Sequence, residues 1–317
     1  MDGLIGHTGF VGSNLKTQHA FGARFSSAYV GDLAGAAFDT LVCAAAPGSM
    51  FEANRFPERD HARISALIAQ LDAVGPVRRF VLISTVAVLA GFKADDEDTT
   101  AFEDSTPYGV NRRRLEVFVA ERFPGALIVR LPALFGPGLK KNFLFDMRNP
   151  LPSMLPPAGL TQVEAAVGES LAPVLHGFYP LDAELGMHML DRAALDASDE
   201  RTALDAAVTE AGLAALRFTH PDSRFQFYDM RNLWRDIQLG LEHGLTVLHL
   251  APPPIAAGEI YRAVTDAAMA DAGARRHAEN MRTRHAALWG EAGPYIATPA
   301  DVLTDLREFM ASEPAHA

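Results

Sequence analysis

The sequence predicts an α/β protein built on a doubly wound parallel sheet, and three observations lead there. Short, largely apolar runs recur at 4–5, 38–46, 79–85 and 127–131, as strands buried on both faces require. Stretches with helical periodicity separate them, most clearly at 57–74, where Ile64, Leu67, Ile68 and Leu71 share one face. A turn of pattern Gly6-x-x-Gly9-x-x-Gly12 joins the first run to the first helix. Strand–helix alternation of this kind gives a parallel sheet with helices on both faces and right-handed crossovers.

Composition bounds the functional classes. The chain has 317 residues, of which 49% are hydrophobic, enough for a sizeable core in one large or two intimate domains. A formal net charge of −11 argues against nucleic acid and anionic membrane surfaces as partners. The single cysteine, Cys43, lies in an apolar run and reads as core packing, so a disulfide framework is excluded and a cytoplasmic location is expected. No run reaches the ~18 apolar residues of a membrane helix. The N-terminus runs straight into the glycine turn, so no signal peptide is expected.

In chain order, the first strand is a stub at 4–5, and Ser13 to about Ala20 reads as helix. Two brief strand pieces follow at 23–27 and 28–30. A strong strand at 38–46 is closed by Pro47-Gly48, and the helix at 57–74 leads to a strand at 79–85. The run Asp95-Asp96-Glu97-Asp98 reads as a solvated acidic loop. Residues 108–122 are helical, and the strand 127–131 stops at Pro132. Four prolines between 149 and 157 mark a loop, and 182–216 reads as helical. A strand at 224–228, a helix at 230–243 capped by Asp229, and a strand at 245–250 return to the first domain. The expected division is 1–140 plus 224–252 for the nucleotide-binding part. A smaller, mostly helical substrate-binding portion takes 141–223 plus 253–317.

The glycine turn carries the first chemical signal. Glycines let a phosphate approach the main chain, and the following helix offers free N–H groups and its positive dipole end. A dinucleotide pyrophosphate is the natural guest, held by the turn residues Gly6, Thr8, Gly9, Phe10, Val11 and Gly12. A strand–turn–helix without ligand is the bland alternative. No His pair has metal-ligand spacing and no Gly-x-Ser-x-Gly elbow is present, so metal sites and serine hydrolase chemistry are not expected.

Several pieces together resemble the extended short-chain dehydrogenase/reductase family, which includes nucleotide-sugar epimerases and dehydratases. They are Gly6-x-x-Gly9-x-x-Gly12, Gly31-Asp32-Leu33, the strand with its Ala44-Ala45-Ala46 end, Ile83-Ser84-Thr85-x-x-Val88, Tyr108-Gly109-x-Asn111, and the stretch from Val129 through Pro132 and Leu134 to Gly138. A later piece, Phe225-x-Phe227-Tyr228-Asp229-Met230, is similar to the family's strand–helix return. The resemblance covers about 3–145 and 224–262.

The resemblance implies a Rossmann-type fold and an NAD(P)-dependent oxidoreductase or epimerase/dehydratase acting on a hydroxyl or keto group of a sugar or nucleotide sugar. It implies that Thr85 orients the substrate oxygen and that Tyr108 is the acid/base. A free phenol titrates near ~10, so a neighbouring cation is needed to bring it into use. The family's pattern is Tyr-x-x-x-Lys. Here the fourth position after Tyr108 is Arg112, which keeps the charge but not the proton relay. Two readings compete: Arg112 substitutes, holding the nicotinamide ribose, or the chain is a non-catalytic NAD(P)-binding regulatory or redox-sensing protein. Arg112 also stands beside Arg113 and Arg114 as one of three candidate surface arginines.

Cofactor contacts are expected further at Ala44, Ala45, Ala46, Pro132 and Leu134. Asp32 lies about where a ribose-binding acid belongs, yet Asp32 and Leu33 also match the segment that meets adenine. On that alignment the second strand ends at Arg24-Phe25-Ser26, where no carboxylate repels a 2′-phosphate and Arg24 attracts one, so NADP is favoured over NAD. Lys141 and Asn142 fall where the family reaches its substrate. A homodimer is expected from the same resemblance.

Overall fold

The computed structural model describes residues 1–26, 34–91 and 93–312. The chain forms two compact units. The first comprises Met1–Gly138, Arg224–Ile255 and Ala278–Phe309; the second comprises Leu139–Ser223, Ala256–His277 and, of the described residues at the C-terminus, 310–312.

The first unit is built on β1 (Asp2–Ile5), α1 (Phe10–Gln18), β2 (Ala23–Phe25), β3 (Phe38–Cys43), α2 (Met50–Arg55), α3 (Pro57–Asp72), β4 (Val77–Thr85), α4 (Pro107–Arg122), β5 (Leu127–Leu131) and β6 (Ala133–Phe135). Among the described residues six strands form one sheet in the order β12-β5-β4-β3-β1-β2, where β12 is Val247–His249. Each neighbouring pair is parallel. The order reverses between β1 and β3, and open α/β sheets bind ligands beyond the carboxyl ends of strands at such a point.

Both faces are covered, which is why the strands read as largely apolar runs. Leu4, Val42, Val81 and Val129 face one core with Leu15 of α1 and with Leu233 and Ile237 of a later helix. Their strand neighbours Ile5, Leu41, Leu82 and Ile128 face the other, with Ile64 and Leu71 of α3 and Leu115 and Val119 of α4. Each such side chain taken from water contributes roughly 1.5–3 kcal/mol. Cys43 is fully buried in this second core, and burial pushes its thiol up to about 11.

Local differences from expectation have identifiable causes. β1 begins two residues earlier than its apolar stub because Asp2 is anchored: its carboxylate accepts from Thr40 N–H (3.1 Å) and meets His19 Nε2 (2.9 Å). The strand piece expected at 28–30 lies outside the described residues. The acidic run at 95–98 is not simply solvated. Glu97 accepts from the His249 and Arg284 N–H groups (2.8 and 2.9 Å) and from the Thr283 hydroxyl (2.7 Å).

The second unit holds α5 (Phe143–Arg148), β7 (Met154–Leu155), α6 (Pro157–Val167), α7 (Ala172–Gly177), β8 (Leu181–Asp182), β9 (Met187–Met189), α8 (Arg192–Asp196) and α9 (Arg201–Glu210). Leu155, Leu160, Val163, Leu175, Leu195 and Leu204 form its core. The helix expected across 182–216 is interrupted. The Asp182 carboxylate accepts from Glu184 and Leu185 N–H, and Gly186 takes φ +66°, so the chain reverses into an antiparallel hairpin of β8 with β9 before α8 starts.

The chain then returns through β10 (Arg224–Phe225), β11 (Phe227–Asp229), α10 (Leu233–Glu242) and β12. The expected single strand at 224–228 is split at Gln226, whose buried amide bonds the Met281 backbone. Asp229 caps the turn into α10 through Arg231 N–H (2.8 Å). Two later helices are α11 (Ala257–Thr265) and α12 (Pro299–Ser312). The expected division placed all of 253–317 with the substrate portion. Residues Ala278–Phe309 instead belong to the first unit, because Ile296 joins its core and Ile296 N–H, Thr283 and the Trp289 indole bond Ala251, Glu97 and Asp236.

Candidate active site

The glycine turn sits at the sheet's reversal point, directly after β1. Gly6 takes φ +86°, and a Cβ there would lie 2.4 Å from the Ala44 carbonyl oxygen at the end of β3. A Cβ on Gly12 would lie 2.2 Å from the Gly6 carbonyl oxygen. Both positions therefore exclude any other residue without a backbone shift. Gly9 N–H closes the turn onto Gly6 O (3.1 Å), and Gly9 is the N-cap of α1 with no side-chain cap bond. The first-turn N–H groups of α1, from Phe10 onward, have no carbonyl one turn back to meet. Among the described residues His7 Nδ1 is buried there without a hydrogen-bond partner. A cradle of close backbone, free helix-start donors and an orphaned ring nitrogen fits a dinucleotide phosphate.

Beside the turn, β2 carries Arg24, which is exposed, followed by the partly buried Ser26. Asp32 and Leu33 lie outside the described residues. Ala44, Ala45 and Ala46 follow β3, and Ala44 N–H is tied to Ile5 O (2.9 Å). Pro132 and Leu134 follow β5, both partly buried.

The second half of the site is where β4 ends and α4 begins. Pro107 occupies the first turn of α4, and Asn54 of α2 caps it from outside by accepting the Tyr108 N–H (3.0 Å). Gly109 packs so tightly that a Cβ would lie 2.5 Å from the Ala87 carbonyl oxygen, just past β4. This close approach brings Tyr108 to Thr85. The Thr85 hydroxyl accepts from Ala87 N–H (3.1 Å) and reaches the Tyr108 phenol. Burial raises the phenol above its ordinary range; the nearby Arg112 charge and the Thr85 hydroxyl act in the opposite direction, and Asp60 adds to the rise.

Arg112 is not a surface arginine. It is 2% exposed, and its guanidinium lies 4.0 Å from the centre of the Tyr108 ring. Nη1 donates to Asp60 Oδ2 (2.5 Å) and Nη2 to the Pro47 carbonyl. Asn111 donates to the same Asp60 oxygen (2.7 Å). Both terminal nitrogens bond protein oxygens, and among the described residues Nε is buried without a partner. What Arg112 offers the site is a cation beneath the phenol ring. Arg113 and Arg114 go elsewhere, to Glu116 (2.9 Å) and to Ser65 (2.8 Å).

One turn further along α4, Glu116 is fully buried. It accepts from Arg130 Nε (3.0 Å) and Nη2 (2.8 Å) and from the Ser84 hydroxyl (2.6 Å). Ser84 precedes Thr85, so the same helix is fastened to the same strand end twice. Asp60, Glu116 and Arg130 were not singled out from sequence. A signal existed for the first two. Asp60 continues the α3 stripe of Ile64, Leu67 and Leu71, and Glu116 falls between Leu115 and Val119 on the buried face of α4.

The substrate candidates lie in the second unit. Asn142 Oδ1 caps α5 by accepting from Leu144 (3.0 Å) and Phe145 (3.3 Å) N–H, so its amide oxygen serves the helix start; Lys141 is exposed. Among the described residues no group of acids, histidines and cysteines could hold a metal ion, and no helix is long and apolar enough to cross a membrane.

A parallel sheet with a glycine turn at its reversal point belongs to the doubly wound α/β folds. No protein-family model and no curated protein matches the sequence. Solved structures do share the fold. The enzyme WbmG of Bordetella bronchiseptica, in complex with NAD, is 13% identical, with a TM-score of 0.60 over 99% of this chain and 94% of its own. RMD from Pseudomonas aeruginosa, complexed with NADPH, is 17% identical, with a TM-score of 0.58 and 98% of each chain covered. A UDP-glucose 4-epimerase from Thermotoga maritima, with UDP-glucose, is 12% identical, with a TM-score of 0.58 and the same coverage. The Rossmann-type fold expected from the motifs is therefore the fold of this chain over nearly its whole length.

Proposed function

We propose that the chain is an NAD(P)-dependent oxidoreductase or epimerase of the short-chain dehydrogenase type, acting on a hydroxyl or keto group of a sugar derivative. The observation that carries this reading is the pairing of Thr85 with Tyr108 at the carboxyl end of β4, a central strand of the sheet whose reversal point holds the glycine turn.

The glycine turn and the start of α1 would hold the pyrophosphate, with Ala44–46, Pro132 and Leu134 along the dinucleotide. Arg24 and Ser26 stand at the end of β2, where a 2′-phosphate would be received, which favours NADP. A bound nicotinamide dinucleotide supplies the hydride acceptor or donor. The chain's own residues do the rest: Thr85 orients the substrate oxygen, Tyr108 moves the proton at that oxygen, and Arg112 packs its guanidinium under the phenol ring. General acid–base groups of this kind contribute ~10²–10⁴-fold in rate. Two of the structural relatives, the WbmG enzyme and the epimerase, carry NAD and UDP-glucose, and a nucleotide sugar is the substrate class that this likeness suggests.

Tyr108→Phe is the test. Cofactor affinity, measured by calorimetry, should stay within about twofold, while turnover of sugar ketones or alcohols falls about 100-fold or more. Unchanged turnover would remove Tyr108 from the chemistry. If the unsubstituted protein binds the dinucleotide but turns over no substrate of this class, the non-catalytic reading takes its place. The specific observation favouring that reading is the engagement of Arg112 with Asp60 and Pro47.

A further inference from the structure

The site contains a carboxylate that its motif does not call for. Asp60 lies on α3, 52 residues from Arg112, is 4% exposed, and puts one oxygen onto both Arg112 Nη1 (2.5 Å) and Asn111 Nδ2 (2.7 Å). Burying a carboxylate is unfavourable unless it is paired and hydrogen-bonded, so this placement is specific. The Arg112 member of the pair sits against the Tyr108 ring, and the two charges act on the phenol in opposite directions. The other groups around Tyr108 leave the balance to these two. Thr85 of β4 and Asn54 of α2 are neutral. Glu103, on the loop before α4, turns to the Ser105 and Thr106 N–H groups (2.7 and 3.1 Å), and Glu52 of α2 pairs with Arg63 (3.8 Å).

We propose that Asp60 is a positioning residue of this site: through Arg112 it fixes the guanidinium against the Tyr108 ring and cancels its charge, so that Tyr108 meets its substrate as a proton donor. A lone cation at this distance would favour the phenolate. A neutral Arg–Asp pair does not, and Tyr108 stays on the raised side of its ordinary range, through burial first. On the function proposed above, the chemistry that consumes a proton at the substrate oxygen is reduction of a carbonyl. A bound reduced nicotinamide dinucleotide would supply the hydride, with its electron pair, to the carbonyl carbon. The oxygen gains the phenolic proton, and water reprotonates the phenolate. The substrate class is then a ketone or aldehyde at neutral pH, and oxidation of the alcohol is confined to alkaline pH, where Tyr108 ionises.

The test is a charge cycle read on Tyr108 itself, in the full chain without cofactor or substrate. Tyrosinate absorbance is titrated for each protein, and the matching Tyr108→Phe protein is subtracted to isolate this phenol. Asp60→Asn keeps the shape and removes the charge, and should lower the Tyr108 midpoint by about one pH unit or more. Arg112→Gln should raise it by a similar amount. The double variant should return close to the unsubstituted protein.

A midpoint unmoved by Asp60→Asn overturns the proposal, because a purely structural Asp60 would cost stability and leave the titration alone. If Asp60→Asn alone does not fold, the comparison of Arg112→Gln with the double variant decides. They differ only in the Asp60 charge, so the single variant must titrate higher, and equal midpoints overturn the proposal. The proton-donor role rests on the function proposed above, but the titration does not use turnover. Absent turnover with the shifts intact refutes that function and leaves the charge pairing standing.

Discussion

The two halves of the site are made of different material. The glycine turn is built from backbone: two glycines without room for a Cβ, a helix start without a side-chain cap, and a neighbouring carbonyl at Ala44. The half where β4 ends and α4 begins is built from buried side chains, Arg112 on Asp60 and Arg130 on Glu116, drawn from two helices and a strand. A backbone site is specified by what is missing, and a side-chain site by partners far away in sequence. The first tolerates no added atom. The second tolerates no lost charge.

The largest effect expected from breaking this contrast is on the side-chain half. Glu116→Ala leaves Arg130 buried with no carboxylate, and removing one partner of a buried pair costs about 3–5 kcal/mol. Urea denaturation should show that loss. A double replacement of Glu116 and Arg130 by apolar residues of similar volume should recover most of it. A loss below about 1 kcal/mol would mean that the helix is not held through Glu116.

The backbone half should fail differently. Gly12→Val puts a branched side chain where even a Cβ meets the Gly6 carbonyl oxygen at 2.2 Å. Dinucleotide affinity by calorimetry should fall about 100-fold, roughly 2.7 kcal/mol, while the tyrosinate titration of Tyr108 stays where it was. A shift in both readouts would show that the two halves are one mechanical unit. A smaller effect is expected at Arg24→Ala, which removes a charge from an exposed side chain at the end of β2. NADP affinity should drop about fivefold, under about 1 kcal/mol at physiological salt, with NAD affinity unchanged. Equal losses for both cofactors would take Arg24 away from the 2′-phosphate.

The same contrast accounts for what was readable in the sequence. Gly6, Gly9 and Gly12 announce themselves by spacing, because a backbone site depends on residues adjacent in the chain. The sheet was legible for a related reason: strands covered on both faces must be largely apolar, as 80–83 and 127–129 are. Tyr108 and Thr85 were found through the motifs around them. Asp60 was not, although the period of α3 carries its apolar stripe onto it, because an acid beside Glu58, Arg59 and His61 looks like part of a solvated face. Arg112 was found, but its partners could not be, since Asp60 and Pro47 are 52 and 65 residues away. The hairpin at 181–189 was missed because alanine and leucine content outweighed the turn chemistry of Asp182 and Gly186. Residues 278–309 were misplaced because their attachment runs through single groups such as Thr283 and Trp289, which leave no periodic trace.

The return of Ala278–Phe309 to the first unit bears on the order of synthesis. That unit is assembled from three stretches separated by two excursions. A chain emerging from the ribosome presents six strands by His249, yet Glu97 still lacks its Thr283 and Arg284 partners, and Asp236 lacks the Trp289 indole. Domains ordinarily fold as units in the order in which they are made. Here the unit that begins first is completed only after most of the other has been translated, and a nascent chain stopped near residue 255 should stay open to protease where the full chain is closed.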